Sequence, residues 1–411
     1  MKKVFGVFLS LIVLMSLSAC KAERPDDSRK PNPEELLCLT FVSSGESTIA
    51  LIKKGEPFEI TLEYSVDGGV WKSYSIGKTV ILADGEALMF RAGADGNAFF
   101  SSSDGYYNFK ITGSVAARGN IMSLLNRKCG RNSVPSCAFL GLFANCRSLT
   151  SAPVLPSTNL ALSCYEQMFY GCTSLTEAPD LPATELAKGC YSNMFNGCTR
   201  LTKVPALPAT ELAAMCYLGM FNGCTSLTGA PSLSAMVLAY GCYSSMFSRC
   251  TNLTKAPTLP AMKLAEECYS WMFDGCTSLT EAPVLPATKL AVGCYCGMFA
   301  SCTSLTETPE LPATNLIEMC YERMFYGCTN LIKAPVLPAT KLAKECYFWM
   351  FYGCTSLNYV KALFTDEPSE ETTNSWLHGV SSTGTFVKSK DAKGDVRGEN
   401  GIPYGWTVIA E

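Results

Sequence analysis

Residues 164–189 read CYEQMFYGCTSLTEAPDLPATELAKG, and at Cys190 the same pattern begins again. Between Cys164 and Cys354 the chain writes Cys-Tyr-x-x-Met-Phe-x-x-Cys eight times, each copy 26 residues after the last. A degenerate copy containing Phe139 precedes them. Self-similarity at a fixed period of this length indicates a solenoid, in which each coil contacts only its neighbours. We therefore predict a stack of coils over residues 138–364.

Each coil is predicted to contain one helix and one short strand. On a helical wheel, the apolar residues of segment 160–170 fall within one half, which indicates a buried helical face. Thr184 as N-cap and Gly197 as terminator bracket a helix of about twelve residues in the next copy. Segment 175–181 places Leu, Ala and Leu at inward spacing, but its prolines restrict the strand to about three residues. The predicted fold class is an α/β solenoid.

The repeat resembles the BspA-like leucine-rich repeats of bacterial surface proteins. The resemblance rests on Gly-Cys-Thr-Ser-Leu-Thr at residues 171–176, on the Met-Phe pair before it and on the proline-bearing segment after it. It covers residues 138–364, more than half of the chain. The 26-residue period and the Ala-Pro-x-Leu-Pro segment depart from more typical members. The resemblance implies a leucine-rich repeat solenoid in a surface binding protein, and it names no ligand.

The segments on either side of the array have a different composition. Residues 37–113 alternate apolar and polar side chains, as in Phe58-Glu59-Ile60-Thr61, and predict a small Ig-like β-sandwich. Residues 114–137 are interpreted as a linker or N-terminal cap. Residues 365–411 are predicted to cap the open end of the stack, with Trp376, Phe386 and Trp406 as anchors.

The N-terminus has the features of a lipoprotein signal. Residues 1–19 combine two lysines with an apolar run, which predicts a secretory signal peptide. Leu-Ser-Ala-Cys ending at Cys20 resembles the lipobox of bacterial lipoproteins, in which the cysteine is acylated. Residues 20–36 are predicted to form a polar tether. The resemblance implies an outer-membrane lipoprotein, anchored through Cys20 and exposed at the cell surface.

Charge and composition argue against several function classes. The net charge of −3 and the lack of a basic stripe argue against nucleic acid as a partner. The chain holds one histidine, His378, so proton shuttles and imidazole metal ligands are scarce. No nucleophile elbow or phosphate-binding loop occurs. We expect a protein without enzymatic activity and without a metal or other cofactor.

Two columns of eight cysteines, which start at Cys164 and Cys172, permit three interpretations. The thiols could be buried as small apolar groups, some could form disulfides in an exported protein, or they could bind a metal. A helix would hold the two cysteines of one coil roughly 10 Å apart, beyond disulfide reach. Cys172 with Cys190 would remain possible. The absence of Cys-x-x-Cys pairs disfavours zinc, and buried thiols are the leading interpretation.

Side chains that vary between coils give the candidate ligand-binding residues. Aromatic residues and arginine accumulate in the later copies at Trp271, Arg323, Tyr326, Phe348, Trp349 and Tyr352. This composition is typical of protein interaction surfaces. Packing of Phe348 and Trp349 against the C-terminal cap is the competing explanation. The leading hypothesis is an adhesin-like protein that binds a host or extracellular protein, the alternative is a glycan-capturing lipoprotein of a carbohydrate uptake system, and an enzyme is disfavoured.

Overall fold

The computed structural model describes residues 33–97, 101, 104–129 and 132–411. The signal peptide predicted over residues 1–19, the predicted lipidation site Cys20 and most of the predicted tether lie outside these residues. Within them, residues Glu34–Glu411 form one unit. A short helix, α1 (Pro33–Leu37), precedes the first strand. Among the described residues, no helix is long and apolar enough to cross a membrane.

The N-terminal region forms a single seven-stranded sheet instead of the predicted Ig-like sandwich. Its strands are β1 (Leu39–Gly55), β2 (Leu62–Val66), β3 (Lys72–Tyr74), β4 (Val80–Leu82), β5 (Ala87–Ala92), β6 (Gly105–Arg118) and β7 (Leu149–Ser151). The long strands β1 and β6 pair antiparallel, and an irregularity between Ser44 and Thr48 divides β1 into a part that pairs with β5 and a part that pairs with β4. Alternation correctly predicted strands in this region, but the stretch 58–61 that shows it lies just before β2 and outside any strand. Alternation also carries no information on which strands pair.

The sheet and the solenoid share one hydrophobic core. Strand β6 pairs in parallel with β7, which belongs to the first coil. The Phe109 ring of β6 stacks on Phe143 of that coil, with centroids 5.4 Å apart. Between β6 and β7 lies a short 3₁₀ helix, Ile121–Leu124, whose residues are all buried. The sheet therefore covers the first end of the stack.

The helix predicted in each coil is not formed, and consecutive turns take its place. In the first complete coil, the Met168 N–H donates to the Tyr165 carbonyl three residues earlier, over 3.2 Å. The next N–H, of Phe169, donates to the Met194 carbonyl of the following coil, over 2.9 Å. Every fourth residue is left-handed, as at Gln167 with a φ of 54°. The solenoid was predicted correctly, and the helical part of the α/β class is wrong.

The spacing between coils explains why helices are absent. Equivalent rings stack along the array, Phe169 on Phe195 at 5.5 Å and Tyr165 on Tyr191 at 5.9 Å between centroids. Packed α-helices keep their axes about 8–10 Å apart, so helices could not stack at this spacing. Turns leave alternate N–H groups free to bind the next coil, whereas a helix uses them internally. Pairs of buried residues, such as Cys164-Tyr165 and Met168-Phe169, recur every four positions. This spacing is close to the 3.6-residue period of a helix, so the sequence pattern resembles that of a helix.

Opposite the turns, the chain runs extended, and the prolines keep the strands short. Adjacent coils meet through isolated parallel bridges such as Glu177↔Lys203. Longer strands occur at the C-terminal end: β8 (Lys333–Leu337), β9 (Tyr359–Ala362), β10 (Gly384–Lys388) and β11 (Trp406–Ala410). They form a parallel sheet in the order β11-β10-β9-β8. The strand content of the earlier coils is thus lower than predicted.

The coil pattern continues beyond residue 365, where a break in the period was expected. The Phe351 N–H donates to the Trp376 carbonyl over 2.9 Å, as in the earlier coils. The Trp376 indole in turn donates to the Gly401 carbonyl over 3.0 Å. The three expected anchors are buried: Trp376, Phe386 and Trp406. Residues 365–411 therefore extend the stack with coil-like turns and the strands β10 and β11.

The 21 cysteines of the described residues are free thiols, and both array columns are buried. Thiols of the second column donate to a carbonyl of the preceding coil, as Cys172 Sγ does to Phe143 O over 3.1 Å. Burial raises the pKa of the Cys190 thiol to about 12, so it stays protonated. This agrees with the buried-thiol interpretation, although the argument from helical rise fails with the helix. Among the described residues, no group of three or more His, Cys, Asp or Glu could hold a metal ion.

Candidate ligand-binding groove

The first column of variable side chains occupies one of the left-handed positions of each coil. In five consecutive coils it contains Trp271, Gly297, Arg323, Trp349 and Ser375, with φ values of 55°, 58°, 52°, 50° and 48°. The Trp271 indole lies over Gly297, because a Cβ built on this glycine would come within 2.5 Å of the ring. The Arg323 guanidinium lies 4.0 Å from the centroid of the Trp349 ring. The column thus presents aromatic rings and a guanidinium group at Trp271, Arg323 and Trp349.

The second column lies three residues further along each coil. Its members in the same coils are Asp274, Ala300, Tyr326, Tyr352 and His378. The Tyr326 and Tyr352 rings stack at 5.2 Å with an interplanar angle of 8°. The His378 ring continues the stack at 4.9 Å from Tyr352. The one histidine of the chain therefore belongs to this aromatic column.

The two columns enclose a groove of about 720 Å³, which we call the aromatic groove. It is lined by Trp271, Asp274, Ala300, Ser301, Arg323, Tyr326, Trp349, Tyr352, Asn374, Ser375, His378 and Glu399. Five of the six predicted ligand-binding residues are in this lining. The sixth, Phe348, does not line the groove. The centroid of its ring lies 6.1 Å from that of Trp349, and the two rings are tilted relative to each other. Two smaller grooves, of about 510 and 360 Å³, lie along the proline-bearing segments.

The charges of the aromatic groove are partly compensated. Arg323 forms an ion pair with Glu322, next to it in the chain. Burial raises the pKa of the Glu322 carboxyl, and the Arg323 guanidinium opposes this shift. Burial also raises the pKa of Asp274, opposed by a hydrogen bond from Ser248 and by the charge of Arg249. The Ser248 hydroxyl donates to Asp274 Oδ2 over 3.2 Å.

Comparison with known protein families identifies the repeat. A model of the BspA-type leucine-rich repeat region, in six copies, matches residues 140–280, 218–331 and 269–365. Together these ranges cover more than half of the chain. The chain belongs to the BspA-type leucine-rich repeat family. The predicted resemblance is thereby confirmed, and no curated protein and no solved structure matched the chain.

Several groove residues of this BspA-type protein were missed by the sequence reasoning. His378 and Ser375 lie 26 residues after Tyr352 and Trp349, beyond residue 364, where the predicted array ends. Extending the register by one copy would have found both. Asp274 occupies the same repeat position as the predicted ligand-binding residues Tyr326 and Tyr352, so aligning the copies would also have included it. Glu399 had no such signal, because it reaches the groove through a hydrogen bond that its Oε1 accepts from Ser375 Oγ over 2.9 Å.

Proposed function

We propose that this BspA-type repeat protein binds a host or extracellular protein through the aromatic groove. The observation that carries the proposal is the concentration of Trp271, Arg323, Trp349 and two stacked tyrosines around one cavity. Tryptophan, tyrosine and arginine are the residues that most often dominate the energetics of protein interfaces. The corresponding residues in earlier coils are small or polar except Tyr170 in the second column, so the clustering of aromatic residues with arginine is found in the later coils.

We further propose that binding involves no catalysis, and that the protein is held at the cell surface by a lipid on Cys20. The first part is supported by the single histidine of the chain, whose ring is stacked against Tyr352. The second part is supported by the lipobox-like sequence that ends at Cys20. Incorporation of a labelled fatty acid by the chain, and its loss in Cys20→Ser, tests the anchor. Accessibility to protease on intact cells tests surface exposure.

The groove is tested by binding of the purified full chain, in mild detergent, to arrays of extracellular-matrix proteins and of glycans. The test variant replaces Trp271, Arg323 and Trp349 together by alanine. We expect it to weaken binding to the retained protein by at least about thirtyfold, the loss typical of interface hot spots. The matched control replaces Gln167, Asn193 and Ser245 by alanine, in the same column and at the same left-handed backbone positions.

Equal affinity of the two triple variants and the unmodified chain would remove the aromatic groove from consideration. Retention of glycans, with no binding to any matrix protein, would instead support the alternative of a carbohydrate uptake system. Melting curves of both triple variants establish that each is folded. Because the substituted side chains lie outside the buried Met and Phe columns, we expect both to melt close to the unmodified chain.

A further inference from the structure

The second column of the aromatic groove contains a gap. Tyr326, Tyr352 and His378 stack on one another at 5.2 and 4.9 Å, one ring for each coil. In the coil before Tyr326 the column holds Ala300, which carries no ring, and in the coil before that it holds Asp274. Two coil steps of the spacing seen between the tyrosines separate Asp274 from Tyr326, which is about 10 Å. The gap over Ala300 is therefore about one ring or one planar group wide.

The surroundings of this gap combine a carboxylate with aromatic surfaces. Tyr326 retains more than a third of its surface exposed, and the Ala300 side chain is buried as the floor. The Trp271 indole, which lies over Gly297, adds an aromatic surface in the same coil as Ala300. Asp274 borders the groove at the far side of the gap. A cation between a carboxylate and an aromatic face is stabilised by both.

The charge balance also favours a cation. Arg323, the basic residue of the groove lining, is compensated by Glu322 and by the face of Trp349. The lining carries two acidic residues, Asp274 and Glu399, which accept hydrogen bonds from serine hydroxyls. An anionic group in the gap would meet the Asp274 carboxylate. A basic side chain would instead form an ion pair with Asp274 in a partly buried site, next to the Arg249 charge that already acts on this carboxylate.

We infer that the gap between Asp274 and Tyr326, with Ala300 as its floor, receives an arginine or lysine side chain of the protein ligand. This inference rests on the proposed function and specifies the chemistry of the partner, a protein segment with exposed basic residues. The guanidinium or ammonium group lies on the free face of Tyr326 and forms an ion pair with Asp274. Its apolar stem passes along Trp271.

The inference is tested with two synthetic peptides that differ in charge only. The first contains four Gly-Arg-Gly units, and the second contains citrulline in place of each arginine. Citrulline keeps the size and planarity of the side chain but removes its charge. Titration of the full chain, followed by its tryptophan fluorescence, should show at least about tenfold tighter binding of the arginine peptide, as expected for a partly desolvated ion pair with a cation–π contact.

Two variants assign this preference to the gap. Asp274→Asn keeps the side-chain size and an oxygen acceptor for Ser248, and we expect it to abolish most of the preference. Ala300→Tyr fills the gap with the residue that the column carries at Tyr170, Tyr326 and Tyr352, so it should remain folded and block the peptide. The control is Asp180→Asn, which removes an exposed carboxylate on the proline-bearing side.

Equal binding of the arginine and citrulline peptides would overturn the inference. So would an Asp180→Asn variant that loses as much preference as Asp274→Asn, since that result indicates nonspecific attraction. Either result can coexist with a groove that binds matrix proteins in the array experiment and loses them on triple substitution. Failure of the inference is thus distinguishable from failure of the proposed function.

Discussion

Replacement of Gly297 by alanine should disturb the aromatic groove more than its stability cost alone suggests. Gly297 has a φ of +58°, and a Cβ added there would lie 2.5 Å from Cδ2 and Cε3 of the Trp271 indole. No real Cβ contact is this short, so the indole must move away. The matched control is Gly241→Ala, where φ is +55° but the nearest atom, Met215 Cγ, is 3.5 Å from the new Cβ.

Both variants incur the cost of a left-handed alanine, about 1 kcal/mol. Gly297→Ala adds about 1–2 kcal/mol for the displaced indole. At roughly 2 °C per kcal/mol for a chain of this size, the melting midpoint should fall by about 2 °C in Gly241→Ala and by about 4–6 °C in Gly297→Ala. Thermal scans measure the midpoints, and emission spectra, compared with those of Trp271→Phe, measure the exposure of the indole. Equal midpoints with unchanged emission would refute the packing of Trp271 over Gly297.

Three further predictions concern the thiols, Asp274 and the repeat. Alkylation of the native protein at about pH 8 should modify at most the three half-buried thiols, Cys129, Cys137 and Cys296, because the other described cysteines are buried. In denaturant all described thiols should react. Array thiols that mass spectrometry finds unreactive in denaturant would indicate disulfides. Burial raises the folded-state pKa of Asp274 above its ordinary value of 3.8, so the stability that the protonated carboxyl contributes is complete below pH 3.8 and is lost as the pH rises through the raised pKa. The melting midpoint of Asp274→Asn should therefore be higher than that of the unmodified chain at about pH 7 and equal to it at about pH 3. A lower midpoint at about pH 7 would contradict this. Deletion of residues 216–241 removes one whole coil and should leave a protein that melts cooperatively and binds through the aromatic groove as before. Deletion of residues 216–228 removes half a coil and breaks the register, so the product should be unfolded or aggregated. Circular dichroism and gel filtration distinguish the two results.

The stack of coils could be predicted from the sequence, but the backbone conformation within a coil could not. The columns of Cys164, Tyr165, Met168 and Phe169 are buried as predicted, because a fixed period leaves one way to align identical side chains. The backbone conformation was misread, because pairs of apolar residues every four positions are compatible with both a helix and a series of turns. The spacing between coils decides between them, and spacing is a property of the packed array that no single coil contains.

The groove could be predicted to the extent that its residues share a column. Trp271, Arg323 and Trp349 were found together because they recur at one repeat position and differ from earlier copies. The gap over Ala300 could not be recognised without knowing that the rings on either side stack coil upon coil. Glu399 is brought in by the irregular C-terminal segment, where the period no longer relates one residue to the next.

The hydrogen bonds that join the turn segments of neighbouring coils repeat along the array, so one coil can follow another. Gain or loss of a 26-residue unit by unequal recombination at the gene level would lengthen or shorten the array without requiring a new junction. The plain coils that precede Trp271 then act as a spacer of adjustable length, with about 5 Å added for each unit by the stacking distance of Tyr326 and Tyr352. Allelic variants that differ in unit number would present the same groove at different reach from the N-terminal sheet.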